Sequence, residues 1–539
     1  MKLGLTKCVT LANDWLKECD GRHTACTGHS NLWPKRVIDV RGDMPRLVET
    51  ETATRDLFEP PRYVTLSHCW GKTNFIKTTT NNLKERMAEI PWDDFPKSFQ
   101  DAITLTRRIK CNSIWIDSLC IIQDDVDDWN EQASKMEDIY SNSFLNIAGT
   151  SRFAQSTGLF SIRECHSDPW RSGIIPAESH QITNDQDGSN RSVFARYNME
   201  AGHRYIAGGA FNGISIAPLL TRAWVFQERL LAPRTIHFYA SELIWECRST
   251  LRCECQELDT ISHRKASQRT FHSPLSPEDV DQSCKALFTE ICQGGASPQA
   301  VLDFWLIAVS SYSYLGLTFE DDRLVALAGI AQRISAFIRS SYLAGLWAAD
   351  LPRCLLWFRV GTRERKLSRS SKIAPTWSWA SASSLIDYDC AAHYLAVLRY
   401  GFAKDERVEI HHSGILCDVP DENSFSTSKH GYIEITAAFI NITINEDYEL
   451  KLSSGEVLNY LSQDYDWTKN GPDQILPGEE AQCLLIGRDA KGEYSGHCLL
   501  LQQARDQVGY HKRIGSVHID SPNIPIHFDD AKMTTVKII

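Results

Sequence analysis

Apolar positions recur along this chain with two periods, and the switches between them lay out its elements. "RYVTLSHCWG" (62–71) is a short, mostly apolar run closed by a glycine, the pattern of a buried strand that ends in a turn. "PKSFQDAITLTRRIK" (96–110) changes to a helical period, with Phe99, Ala102, Ile103, Thr106 and Ile109 on one face and Pro96 suited to a first turn. "SIWIDSLCII" (113–122) predicts a second strand, apolar enough to be covered on both faces. "DDWNEQASKMEDIYSNS" (127–143) predicts a helix opened by Asp128 and Glu131 in capping-box spacing and striped by Trp129, Ala133, Met136 and Tyr140. "FLNIAGTS" predicts a third strand. Strand alternating with helix is the signature of an α/β domain built on a parallel sheet flanked by helices.

Between 152 and 218 the periodicity lapses, and Gly, Ser, Asn and Asp predict an insertion or lid. The α/β pattern resumes with "TRAWVFQERLL" (221–231) as a helix, then "RTIHFYA" and "ELIWECR" as strands. The expected organisation is an N-terminal extension over 1–60, an α/β domain over 61–256 and a polar linker over 257–279. A mainly helical region follows over 280–382 and a β-rich C-terminal region over 383–539, where runs such as "GYIEITAAFINITI" alternate.

A chain of 539 residues has material for two to four domains. Its net charge of -11 argues against a nucleic-acid partner, since phosphate affinity comes mainly from clustered Lys and Arg. The longest uncharged apolar stretches, "IAGGAFNGISIAPLLT" and "FWLIAVSSYSYLGLTF", are 16 residues each, too short for a membrane span. No signal-peptide pattern is read at the N-terminus, and the 17 scattered cysteines fit reduced thiols, so a cytoplasmic protein is expected.

Gly71-Lys72-Thr73 is not a phosphate loop, because Leu66 stands where its first glycine would be. His68 and Cys69, adjacent on a strand, point to opposite faces and cannot act as a nucleophile pair. Asp124, Asp125, Asp127 and Asp128 are accounted for by a helix N-terminus. Asp117 is the lone carboxylate of an apolar strand, so it needs either a buried partner or a functional role. Cys19, His23 and Cys26 have zinc-compatible spacing, with His29 or one of Cys247, Cys253 and Cys255 as a fourth ligand; buried free thiols are the other reading. Trp224 and Glu228 lie four residues apart, neighbours on a helix. By itself this reads as an amphipathic core helix in which Trp224, Phe226 and Leu230 pack and Glu228 pairs with Arg222 or Arg229.

Together, "RYVTLSHCWG", "SIWIDSLCIIQDDVDDWNEQASKMEDIYSNSFLNIAGTS" and "TRAWVFQERLLAPRTIHF" resemble the heterokaryon-incompatibility (HET) domain of filamentous fungi. "WLKECDGRHTAC", "RVIDV", "IWEC", "DDRLVALAGIA", "YLAGLW" and "APTWSWAS" are similar to the extended form of these proteins, in order over most of residues 11–382. The resemblance implies a role in non-self recognition and programmed cell death, with self-association or other incompatibility proteins as partners. HET domains are in turn distantly similar to Toll/interleukin-1 receptor (TIR) domains, which implies a TIR/flavodoxin-like parallel sheet. Some TIR domains hydrolyse NAD through a glutamate four residues after a tryptophan, the spacing of Trp224 and Glu228; Val225 stands where the cysteine of that motif would be. On this resemblance Glu228 is the expected catalytic residue. Trp70, Gly71, Asp117, Arg222 and Trp224 are expected substrate contacts, and NAD is the expected substrate. The competing expectations are a non-enzymatic assembly module and an accessory protein of another pathway, such as specialised metabolism.

Overall fold

The apolar runs of the N-terminal half become strands, each shorter than the run that predicts it. The computed structural model describes residues 5–27, 32–53, 59–70, 76–151, 157–160, 178–183, 190–195, 217–239, 242–256, 258–259, 280–359, 373–382, 385–388, 402–416, 430–458, 461–469, 471, 473–489, 495–520, 528 and 531–539. The chain divides into two units, residues 1–270 with 275–289 and residues 271–274 with 290–539.

The first unit opens with helix α1 (Leu5–Arg22), whose Cys8, Ala12, Trp15, Leu16 and Cys19 recur every three or four residues and are all buried. Strands β1 (Arg36–Asp39), β2 (Arg46–Glu49) and β3 (Val64–Ser67) follow. Helices α2 (Leu83–Ala88) and α3 (Lys97–Arg108), strand β4 (Ser113–Trp115) and the single turn α4 (Asp117–Cys120) come next. Then come α5 (Val126–Ser134), α6 (Met136–Ser141), β5 (Leu145–Ala148) and a hairpin of β6 (Glu178–Thr183) and β7 (Asn190–Ala195). Helix α7 (Ala223–Leu231) leads into β8 (Arg234–Phe238), β9 (Leu243–Cys247) and β10 (Leu251–Cys253).

Eight strands form one sheet in the order β10-β9-β8-β5-β3-β4-β1-β2. The predicted parallel sheet is therefore a mixed one. Its centre, β4-β3-β5-β8, is parallel, while β1, β2, β9 and β10 pair antiparallel at the two sides. Connection length accounts for three of these pairings: the short links β1–β2, β8–β9 and β9–β10 leave no room for a crossover, so those neighbours must run antiparallel, while β1 meets β4 from far along the chain. Among the central strands the chain steps one way from β3 to β4, then crosses back to β5. Crossovers of this kind are right-handed, which puts α3 on one face and α5 to α7 on the other. The contacts agree, α3 lying on β4 and α1, and α6 on α7.

Two boundaries differ from the pattern. "SIWIDSLCII" is not a single strand: β4 ends at Trp115, and the N–H groups of Leu119 and Cys120 turn back to the carbonyl of Ile116. Asp117 consequently heads a helical turn just beyond the carboxyl end of β4 instead of lying inside the strand. The helix expected over 127–143 is two helices and begins at Val126. Its cap is Asp125, whose Oδ1 accepts from the N–H groups of Asp127 and Asp128. Asp128 is buried and pairs with Arg36 and Lys35. Most of the expected insertion (152–218) and linker (257–279) lies outside the described residues; within the latter, Leu258 is buried against Ile244 and Leu251.

The second unit contains helices Pro298–Ser313 and Val325–Ile338, and then β-structure. Its ten-stranded sheet includes the long strand His430–Ile444, and Ile442, Leu485, Leu500, Val517 and Trp467 share one core. The strings "YLAGLW" and "APTWSWAS" meet here as packing. The indole N–H groups of Trp305 and Trp379 both donate to the carbonyl of Gly345 at 2.9 Å, and Ser378 donates to that of Ala344. Gly345 has φ +96°, and a Cβ there would lie 2.6 Å from Trp379 Nε1. Gly345→Ala is expected to cost about 3 kcal/mol, from left-handed strain plus overpacking, read as a shift of the urea midpoint.

Candidate functional site

Side chains of β3 alternate, and so divide the site. On the α6/α7 face each polar group has a buried partner. Tyr63 donates from its hydroxyl to the carbonyl of Ile139 at 2.7 Å, and Thr65 to Asn146 Oδ1 at 3.0 Å. Ser67, at the carboxyl end of β3, donates to Glu228 Oε2 at 2.5 Å and accepts from Asn146 Nδ2 at 3.1 Å. The buried Tyr140 of α6 brings its hydroxyl to Ser67 and Glu228. Glu228 is only 7% exposed. Burial pushes its carboxyl up to about 7; Ser67, Arg222 and Tyr140 oppose that rise, and the charge of Asp117 adds to it.

The other face carries His68, its ring edge-on to Phe99 of α3 at 4.9 Å. Its Nδ1 lies 3.6 Å from Asp117 Oδ1, and burial holds the imidazole below its ordinary pKa, so it is neutral at pH 7. Trp70 donates its indole N–H to Asp117 Oδ2 at 2.8 Å, while Asp117 Oδ1 accepts from the N–H of Ser118 at 2.7 Å. Arg222, the residue before α7, donates from Nη1 to the carbonyl of His68 at 2.6 Å. Its charge is felt by both His68 and Glu228, and so it links the two halves.

The fold thus gathers Glu228, Asp117, Trp70 and Arg222 around the carboxyl ends of β3 and β4. This is the side of an open sheet where ligands collect, next to the β3/β5 boundary at which the winding reverses. Trp224 is turned differently: it is partly exposed and packs edge-on against Trp129 of α5, with ring centroids 6.3 Å apart. Gly71 lies outside the described residues. Of the residues expected to pack on α7, Leu230 is buried while Trp224 and Phe226 are only partly so, and Glu228 is itself buried. Arg229 does not pair with Glu228; it makes a bidentate ion pair with Glu246 of β9, at 2.8 and 3.0 Å.

Ser67, Asn146 and Tyr140 were not singled out by sequence reasoning. A signal was available: in a strand expected to be buried, Tyr63, Thr65 and Ser67 line up polar groups along one face, which requires buried partners opposite.

A second group forms elsewhere in this unit. Donor atoms of Cys19, His23, Cys26 and Cys247 all lie within 4.8 Å of one another. Cys253 and Cys255 associate instead with Glu242, and His29 lies outside the described residues.

An α/β domain with a buried carboxylate at the carboxyl ends of its parallel strands is the class that fold and site define. Residues 63–228, just under a third of the chain, match the family model described as heterokaryon incompatibility protein (HET). This stretch of the chain matches the HET domain, and the matched span runs from Tyr63 to Glu228, the residues that bound the buried polar face. No match was found among curated proteins or solved structures. Among the described residues no helix is long and apolar enough to cross a membrane.

Proposed function

We propose that this protein acts in fungal non-self recognition, as a cytoplasmic effector of heterokaryon incompatibility and programmed cell death. In this reading its HET domain hydrolyses the nicotinamide–ribose bond of NAD. The observation that carries the proposal is Glu228: a carboxylate buried at the ligand-binding end of the sheet and poised to ionise near neutrality. The order β4-β3-β5-β8 is what flavodoxin-type winding gives for four strands, which supports the TIR-like reading.

When the C1′–N bond breaks, its electron pair passes to the pyridinium nitrogen, and nicotinamide leaves neutral without acid assistance. Positive charge develops on the ribose, and ionised Glu228 stabilises it. Water then adds to C1′ and releases a proton, giving ADP-ribose. Ser67, Asn146 and Tyr140 fix the carboxylate, Asp117 and Trp70 orient the ribose side, and Arg222 meets the pyrophosphate.

The second reading is an assembly module in which Glu228 is a core tie. It is favoured by the hydrogen bonds that Glu228 already makes to Ser67 and Tyr140. Incubation of the purified, assembled chain with NAD separates the two. Nicotinamide release by the wild type that is lost in Glu228→Gln supports the enzyme, whereas cell killing without turnover sinks it.

A further inference from the structure

We propose that Cys19, His23, Cys26 and Cys247 bind one structural zinc ion, which clamps the N-terminal helix to the sheet. Three of the donors come from one stretch of chain: the last turn of α1 gives Cys19, the residue just past that helix gives His23, and the short 3-10 turn Thr24–Cys26 gives Cys26. Cys247 comes from the end of β9, far along the chain. All four donor atoms lie within 4.8 Å of one another, and His23 Nδ1 is 3.4 Å from Cys247 Sγ. A tetrahedron with zinc–sulfur bonds of about 2.3 Å has edges of about 3.8 Å, so the group is already close to the right size. Three thiolates and one imidazole are a soft donor set of structural zinc type, with no position left for water.

The surroundings are built for thiolates. Arg234, fully buried, points Nε at Cys19 Sγ at 3.3 Å, and the Thr250 N–H points at Cys247 Sγ at 3.3 Å. Thr250 Oγ1 lies 3.4 Å from the same sulfur, and Ser249 Oγ lies 3.9 Å from Cys26 Sγ. Three thiolates around a divalent ion leave a net charge of minus one beside the Arg234 guanidinium, which also pairs with Asp20. Outer-shell donors of this kind orient ligands and lower the cost of burying the charge. A disulfide between Cys19 and either of the other two cysteines would remove the thiolate that Arg234 Nε meets. The clamp also reaches the candidate site, because Glu246, next to Cys247, holds Arg229, and Arg229 adjoins Glu228.

The test uses the full chain, purified without chelator under reducing conditions. Elemental analysis is expected to find roughly one zinc per chain, and reconstitution with Co(II) to give thiolate charge-transfer absorption and intense tetrahedral d–d bands. Cys247→Ser and His23→Ala are expected to lose most of the metal. Cys69→Ser, in the other site, keeps it, and His23→Cys, which preserves four donors, also keeps it. Should Cys247→Ser fail to fold, stepwise thiol modification of the wild type must release zinc in proportion to the modified cysteines. Chains that remain zinc-free after refolding with Zn(II), a disulfide mapped within the group, or equal metal loss in Cys69→Ser would each overturn the proposal.

Discussion

Glu228→Gln is expected to make the protein more stable at pH 8 while abolishing nicotinamide release. Burial raises the Glu228 carboxyl from 4.5 to about 7. The folded state therefore binds this proton more tightly than the unfolded chain does. Unfolding between those two values releases a proton, so stability falls as pH rises through the window, and the full penalty is present above it. A rise of that size corresponds to about 3 kcal/mol. Glutamine has nearly the same shape, still accepts from Ser67 and carries no charge. The variant should gain about 2–3 kcal/mol at pH 8 and almost nothing near pH 4, read from urea midpoints. A difference that does not change with pH would show that burial does not set the ionisation. Turnover should fall about 10³-fold, because a neutral amide cannot stabilise the charge developing on the ribose. The wild-type rate should rise with pH and level off above about 7, as one group ionises. A rate flat from acid to alkaline pH would sink the proposed role. Stability gained as activity is lost marks a residue kept for function at the fold's expense. Stability gained with no activity in either protein would favour the assembly reading.

Arg229→Met is expected to cost about 3 kcal/mol and to change how the fold responds to acid. Glu246 is buried, which by itself raises its carboxyl, yet Arg229 and Lys285 together hold it well below the usual carboxylate range. Its folded pKa is depressed, so its contribution to stability is present above the unfolded value and is lost as pH falls below it. Removing Arg229 leaves the carboxylate with His237 at 3.3 Å and Lys285 at 3.9 Å, both buried. Most of the cost is a buried charge left short of its partner, so Arg229→Met combined with Glu246→Leu should recover much of it. Urea unfolding from pH 7 down to pH 2 checks this: the wild type should keep most of its Glu246 contribution at pH 4 and lose it progressively as pH falls further towards the depressed folded value. A loss below about 1 kcal/mol in the single variant at pH 7 would mean that Lys285 alone suffices.

Much of the fold was legible because the period of hydrophobicity reports which face is covered. The strand–helix alternation from Tyr63 to Ala148, helix α7 and the β-rich end all follow from it. Element ends were less legible. Asp125 capped α5 and Ile116 ended β4 through local hydrogen bonds that periodicity does not register. The antiparallel sides of the sheet depend on loop lengths, and no residue of β1 or β9 states its pairing partner.

The candidate site divides in the same way. Residue types and spacing by themselves determined that Glu228 stands on a helix four residues after Trp224, and that Cys19, His23 and Cys26 can converge from one turn. Only the tertiary structure decided which way α7 faces, with Glu228 inward against Ser67 and Trp224 outward against Trp129. It alone brought Cys247 to the other three ligands. The physical reason is that periodicity is a property of neighbours along the chain, whereas burial, ionisation and ligand geometry depend on residues that become neighbours only when the sheet closes around them.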